Sequence, residues 1–257
     1  MLPQAKTTQK RFGIISQDNI WRQIFDQLGL AAARDAHVKV NALADLTAHF
    51  KTELSTHSFD EIKRILSADC RQQQAALSRG RASKEVVRLL KSLANRLGSV
   101  KLEASGWAAI GPGLKRSYRD GHRGYRLAKE TGTPEHFHEW RKRVKDLLYQ
   151  TGLLCRIWPE QMSATEAELK HLGERLGDDH DLFLLTESST MKRFRKPANE
   201  EAEPLRALVE QRQKELRAHA LALGARFYKQ KPSAFCKRLG QYWKRWRREP
   251  KGAARMC

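Results

Sequence analysis

The stretch His138 to Tyr149, HEWRKRVKDLLY, sorts its residues by face when wound at about 3.6 residues per turn. Phe137, Trp140, Val144, Leu147, Leu148, Leu154 and Trp158 fall on one arc, the stripe a core-facing helix needs. His138, Arg141, Lys142, Lys145 and Tyr149 fall on the other side, within an arc of roughly 100°. A basic face opposite a core stripe is ordinarily only a solvated surface. The mixture of His, Arg and Lys with a Tyr, and a second row like it close by, points instead to an anion.

That second row lies in GLKRSYRDGHRGYRLAKE, where Lys115, Arg119, His122, Arg126 and Lys129 recur at helical spacing within less than about 90°, flanked by Arg116 and Arg123. Leu114, Tyr118 and Tyr125 line a neighbouring face and read as core. Like charges stacked on one stripe repel by a few tenths of a kcal/mol per i,i+4 pair, and an anion over them would relieve that repulsion. Each step along a stripe rises roughly 4.5–6 Å, so the two rows together are expected to track a linear chain of phosphates.

Helical periodicity extends along nearly the whole chain, with no sustained two-residue alternation bounded by hairpin signals. This predicts an all-α architecture. Helices are expected over roughly 17–33, 34–54, 58–79, 83–98, 105–131, 134–157, 163–176, 178–187, 202–230 and 232–247. Breaks are expected at Gly98, Gly111-Pro112-Gly113, Thr131-Gly132-Thr133-Pro134, Trp158-Pro159 and the charged loop 191–204. The expected organisation is an N-terminal segment 1–24 open to disorder, one helical domain over 25–247 with halves 25–131 and 134–247, and a basic tail 248–257.

The chain has 49 Lys plus Arg against 29 Asp plus Glu, a formal net charge of +20, and such a field draws polyanions without distinguishing DNA, RNA, lipid or polyphosphate. Cys70, Cys155, Cys236 and Cys257 form no CxxC pair and read as free thiols in a reducing compartment. The N-terminus lacks the apolar core of a signal peptide, and no stretch approaches the roughly 20 apolar residues of a bilayer span. A cytoplasmic protein with no membrane partner is expected. There is no Walker A loop, GxSxG elbow or HExxH, so neither a catalytic residue nor a cofactor is expected.

His138, Arg141, Lys142 and Lys145 stand as the HxxRKxxK signature of the CHAD family, the conserved histidine α-helical domain, which this sequence resembles. LGDDHDL at Leu176 to Leu182 is similar to the family's second landmark, and YKQKPSAFCKRLGQYWKRW at Tyr228 to Trp246 to the C-terminal part of one branch. The resemblance implies two related helical halves and a basic groove or channel that binds inorganic polyphosphate, with association with polyphosphate granules. It makes His138, Arg141, Lys142 and Lys145 the first phosphate contacts. Arg can grip phosphate oxygens bidentately while Lys follows a flexible chain as a point charge.

A family member should carry the basic element in each half. Superposing Leu28-Gly29 on Leu172-Gly173 puts Asp35 over Asp179 and Val38 over Leu182, but the counterpart of His138 then falls before Met1. The first basic helix is expected to be missing, truncated or reduced to Lys6 and Lys10-Arg11, which leaves an open site that a homodimer would complete.

Two competing readings stay open. Asp178-Asp179-His180-Asp181 is the one place for a hydrolytic metal, yet adjacent helical positions point roughly 100° apart and cannot all face one ion, so a structural role for Asp179 or Asp181 is preferred. Tyr242 to Arg248, YWKRWRR, interleaves cations with rings that could stack on nucleic acid, a competitor ligand; core anchorage of Trp243 and Trp246 is the alternative. Arg226 and Lys229 are secondary candidates on a long helix whose Leu205, Leu208, Val209, Leu216 and Leu223 are expected to pack.

Overall fold

In the computed structural model, the described residues are 30–79, 87–88, 90–92, 94–95, 98–99, 104–192, 194 and 198–248. Among them there are helices and no strand: α1 (Leu30–His49), α2 (Asp60–Arg79), α3 (Trp107–Thr131), α4 (Pro134–Leu153), a 3-10 turn (Cys155–Ile157), α5 (Pro159–Thr186), the short α6 (Ser188–Met191), α7 (Ala198–Phe227) and α8 (Pro232–Arg248). The all-α expectation holds. The described residues form two compact units, one from those up to residue 101 with those of 188–205, the other from those of 102–187 with those from 206 to 248.

In the first unit α1 packs on α2 through Leu43, Leu46, Phe50, Ile62 and Leu66, all buried. The first turn of α2 leaves backbone N–H groups without helical acceptors. One of them, Ile62 N–H, donates to Glu201 Oε2 at 3.1 Å, from the start of α7.

The second unit holds every candidate site residue. Its core is the stripe read from the sequence. Phe137, Trp140, Val144 and Leu147 of α4 are buried with Leu114, Tyr118 and Tyr125 of α3, Leu169, Leu172 and Leu176 of α5, Ala220 and Tyr228, and Phe235 and Leu239 of α8. The Thr131–Pro134 break is where the sequence places it. Gly132 adopts φ +67° and its N–H donates to Ala128 O at 3.0 Å, a left-handed stop to α3. Thr133 Oγ1 then accepts from His136 N–H, and Pro134 begins α4 where a missing N–H does no harm.

Glycines set how closely these helices approach. A Cβ on Gly124 of α3 would stand 3.1 Å from Trp140 Cα, and one on Gly224 of α7 would stand 2.6 Å from Trp140 Cζ2 and 2.7 Å from Tyr125 Cδ2. Trp140 therefore fills the centre of the unit, with α7 lying across the α3–α4 pair. Gly224→Ala forces two packed rings to shift, and a loss of about 1–3 kcal/mol in chemical denaturation is expected.

Several expected boundaries move. Gly111-Pro112-Gly113 is not a turn but lies inside α3, with Gly111 buried against the Trp107 indole that also meets Gly240 of α8. The expected break near Gly177 is absent, because α5 buries Leu172, Leu176, Asp179 and Leu182 in one run across it and packing overrides glycine's weak helix propensity. Helix 134–157 ends at Leu153 and tightens into the 3-10 turn. Residues 30–33, expected to end a helix over 17–33, instead open α1, which runs without a break to His49, and residues 198–204 of the expected charged loop belong to α7; the rest of 17–33 and part of 83–98 lie outside the described residues. Cys70, Cys155 and Cys236 are free thiols; Cys257 lies outside the described residues.

Candidate functional site

The basic face of α4 meets α5. One side of α5 presents Gly173, Gly177 and His180, which meet Val144, Arg141 and His138 in turn as the two helices run antiparallel. A Cβ on Gly173 would stand 3.7 Å from Val144 Cγ1, and one on Gly177 would stand 3.7 Å from Arg141 Nε and 3.9 Å from Nη2. The His138 and His180 rings lie 4.1 Å apart between centroids, tilted by 32°. Arg141 thus lies along a seam whose opposite wall carries no side chain at Gly177. HxxRKxxK and LGDDHDL, separate in sequence, form the two sides of this seam.

The four motif residues His138, Arg141, Lys142 and Lys145 are all half-buried, while Tyr149 at the end of the face is exposed. Lys142 Nζ bonds Glu139 Oε1 at 2.5 Å. Burial pushes the Glu139 carboxyl up, but Lys142, Arg143 and His138 outweigh it and hold the carboxyl below its ordinary range. Arg143 turns to Asp146 at 3.1 Å and lies on the flank away from α5.

Beneath the seam is an ion pair that the sequence does not announce. Asp179 is buried, and its Oδ1 accepts from Arg217 Nε of α7 at 2.7 Å. Arg217 Nη1 donates to Gly132 O at 3.2 Å, and its guanidinium sits 4.9 Å above the Phe137 ring. One side chain thereby ties α5, the end of α3 and the start of α4. Burial raises the Asp179 carboxyl above its ordinary pKa despite Arg217. A signal exists in principle: Asp179 lies on the apolar stripe of α5, and a buried carboxylate there needs a cation. Its partner could not be named from the sequence, because it lies 38 residues away.

The row on α3 lies elsewhere. Lys115, Arg116, Arg119, Arg123, Arg126 and Lys129 are exposed and His122 is half-buried. The side of α3 that meets α4 is instead marked by Ser117, whose Oγ accepts from Gln150 Nε2 at 2.8 Å, and by Gly124 against Trp140. His122 stacks on Tyr228, with centroids 5.7 Å apart and rings 7° from parallel. Burial and then Arg126 lower its pKa, which favours the neutral ring. Lys115 acts on Cys236 of α8, pulling down a thiol that burial pushes up. The structure does not bring the two rows together: they occupy opposite flanks of the α3–α4 pair, with α7 over the core between them.

The rings of α8 pack on one another and on the core. Trp243 lies 6.1 Å from Trp107, Tyr242 lies 4.6 Å from Trp158, and Arg245 sits 5.0 Å over Trp158. Trp246 lies 5.2 Å from Trp243 and is 36% exposed. Arg226 pairs with Glu168 of α5 at 3.3 Å, and Lys229 is exposed. Among the described residues no group of three or more His, Cys, Asp or Glu side chains could hold a metal ion, and no helix is long and apolar enough to cross a membrane. Lys6 and Lys10-Arg11 lie outside the described residues.

No curated protein and no solved structure is a significant match to the chain. A family model, the CHAD domain, matches residues 19–190, which takes in α1 to α5 and both sides of the His138–His180 seam. With about two-thirds of its length matched, the chain belongs to the CHAD domain family.

Proposed function

We propose that this protein binds inorganic polyphosphate along the α4–α5 seam and performs no covalent chemistry on it, so that it concentrates wherever polyphosphate accumulates. Polyphosphate binding is a general property of the family. The observation that carries the reading to this seam is Arg141 lying over Gly177, with Lys145 one turn along α4. A guanidinium held against bare backbone loses little further freedom when it takes a bidentate grip on phosphate. Lys145 supplies a second positive charge beside it, and Lys142 a third when it releases Glu139.

Polyphosphate is a dense linear polyanion, so binding should release condensed counterions as nucleic acids do. Affinity for labelled polyphosphate is expected to fall steeply with salt. In Lys142→Ala and Lys145→Ala the slope of log affinity against log salt should flatten by roughly 0.7–0.9 for each phosphate no longer neutralised. An unchanged slope in both variants would remove the seam from the binding surface.

A further inference from the structure

The two basic rows point away from each other. At about 100° per residue, the α3 row lies roughly 170° round its helix from Ser117 and Gly124, the residues that meet α4. The α4 row lies equally far round its own helix from Trp140, Leu147 and Gln150, on the side of α3. Interaxial distances of about 8–10 Å plus a half-diameter of about 5–6 Å on each side put the rows roughly 20 Å apart. That is more than two Debye lengths of about 8 Å at physiological ionic strength, so the rows attract ligand independently. The core lies between them, closed by α7 where Gly224 seats on Trp140 and Tyr125.

The α3 row is also the more open of the two. All six cations of α3 are exposed, and they face two carboxylates on the helix: Asp120, which takes Arg119 at 3.0 Å, and Glu130, 3.7 Å from Arg126. Both pairs are solvent-exposed and weak, so a polyanion can displace them.

We infer that each chain carries two separate polyanion tracks, the α4–α5 seam and the outer row of α3, and therefore cross-links linear polyphosphates instead of sequestering them singly. The inference rests on the function proposed above and adds a second surface to it. The protein bound to one strand offers its other track at high local concentration to neighbouring strands, so long chains assemble into networks.

The test uses the full chain at physiological ionic strength, where the two rows act independently. Calorimetry with tripolyphosphate, too short to span both tracks, should give two equivalents per chain, and light scattering with long-chain polyphosphate should show large assemblies. Arg119→Ala/Arg126→Ala/Lys129→Ala should lose one equivalent and the assemblies while still binding the long chain; Arg141→Ala/Lys145→Ala should do likewise through the other track. Lys244→Ala/Arg247→Ala/Arg248→Ala removes as much exposed charge from α8 and should keep both equivalents and the assemblies. One equivalent in the wild type, assemblies that survive the α3 substitutions, or their loss in the α8 control would overturn bivalency. If only the seam variant affects binding, the proposed function stands and the second track falls. If neither track variant affects binding, both fall.

Discussion

Asp179→Ala is expected to destabilise the protein by about 3 kcal/mol, the low end of what truncating one partner of a buried ion pair costs. The low end applies because Asp179 is almost wholly buried while Arg217 keeps about a fifth of its side chain in water and can rehydrate without its partner. For a domain of this size such a loss corresponds to a fall of about 6–12 °C in Tm, readable by differential scanning fluorimetry. Asp179→Asn should cost clearly less. Its amide oxygen can still accept from Arg217, and burial already disfavours the charged form of Asp179, as its raised pKa indicates. Equal and small effects of Ala and Asn, below about 0.5 kcal/mol, would mean that the pair does not hold α5 and α7 together.

The second large effect is on binding. Arg141→Ala/Lys145→Ala removes two charge-assisted hydrogen bonds worth about 1.5–3 kcal/mol each, so, measured in the Arg119→Ala/Arg126→Ala/Lys129→Ala background that leaves the seam as the binding track, affinity for polyphosphate should fall by more than about a hundredfold. Both side chains lie outside the apolar core, so the helical circular dichroism and the Tm should remain close to wild type. Lys142→Ala should matter less, because it removes one cation where the double variant removes two. Fluorescence anisotropy with end-labelled polyphosphate gives both values. Equal weakening in the double variant and Lys142→Ala would point to general charge and not to the geometry of the seam.

Much of the second unit is legible in the sequence, because one helical period sorts Phe137, Trp140, Val144 and Leu147 inward and His138, Arg141 and Lys145 outward. The Gly132-Thr133-Pro134 turn is legible for a similar reason, since each residue has a local conformational task. Gly111-Pro112-Gly113 and Gly177 read wrongly as breaks because their local preference is for turns. What keeps them helical is tertiary: Trp107 over Gly111, and the buried run of α5 across Gly177.

The candidate site divides along the same line. The composition of each basic row can be read from spacing, but its direction cannot. Two stripes on consecutive helices look like one continuous track in sequence. The Gln150–Ser117 hydrogen bond and the Gly124–Trp140 contact turn them to opposite flanks. His180 reads locally as one member of an acidic cluster, and only the packing of α5 on α4 sets it against His138. Arg217 carries no local mark at all, because its role comes from a buried carboxylate on another helix.

The central claim is that the α4–α5 seam recognises polyphosphate, and a competition titration at fixed salt tests it most directly. Labelled long-chain polyphosphate bound to the protein is challenged with single-stranded DNA, duplex DNA or RNA matched for total phosphate. Polyphosphate is expected to resist displacement by all three, and the preference is expected to disappear in Arg141→Ala/Lys145→Ala. Free displacement by single-stranded DNA, with the double variant indistinguishable from wild type, would contradict this and move recognition to the cations and rings of α8.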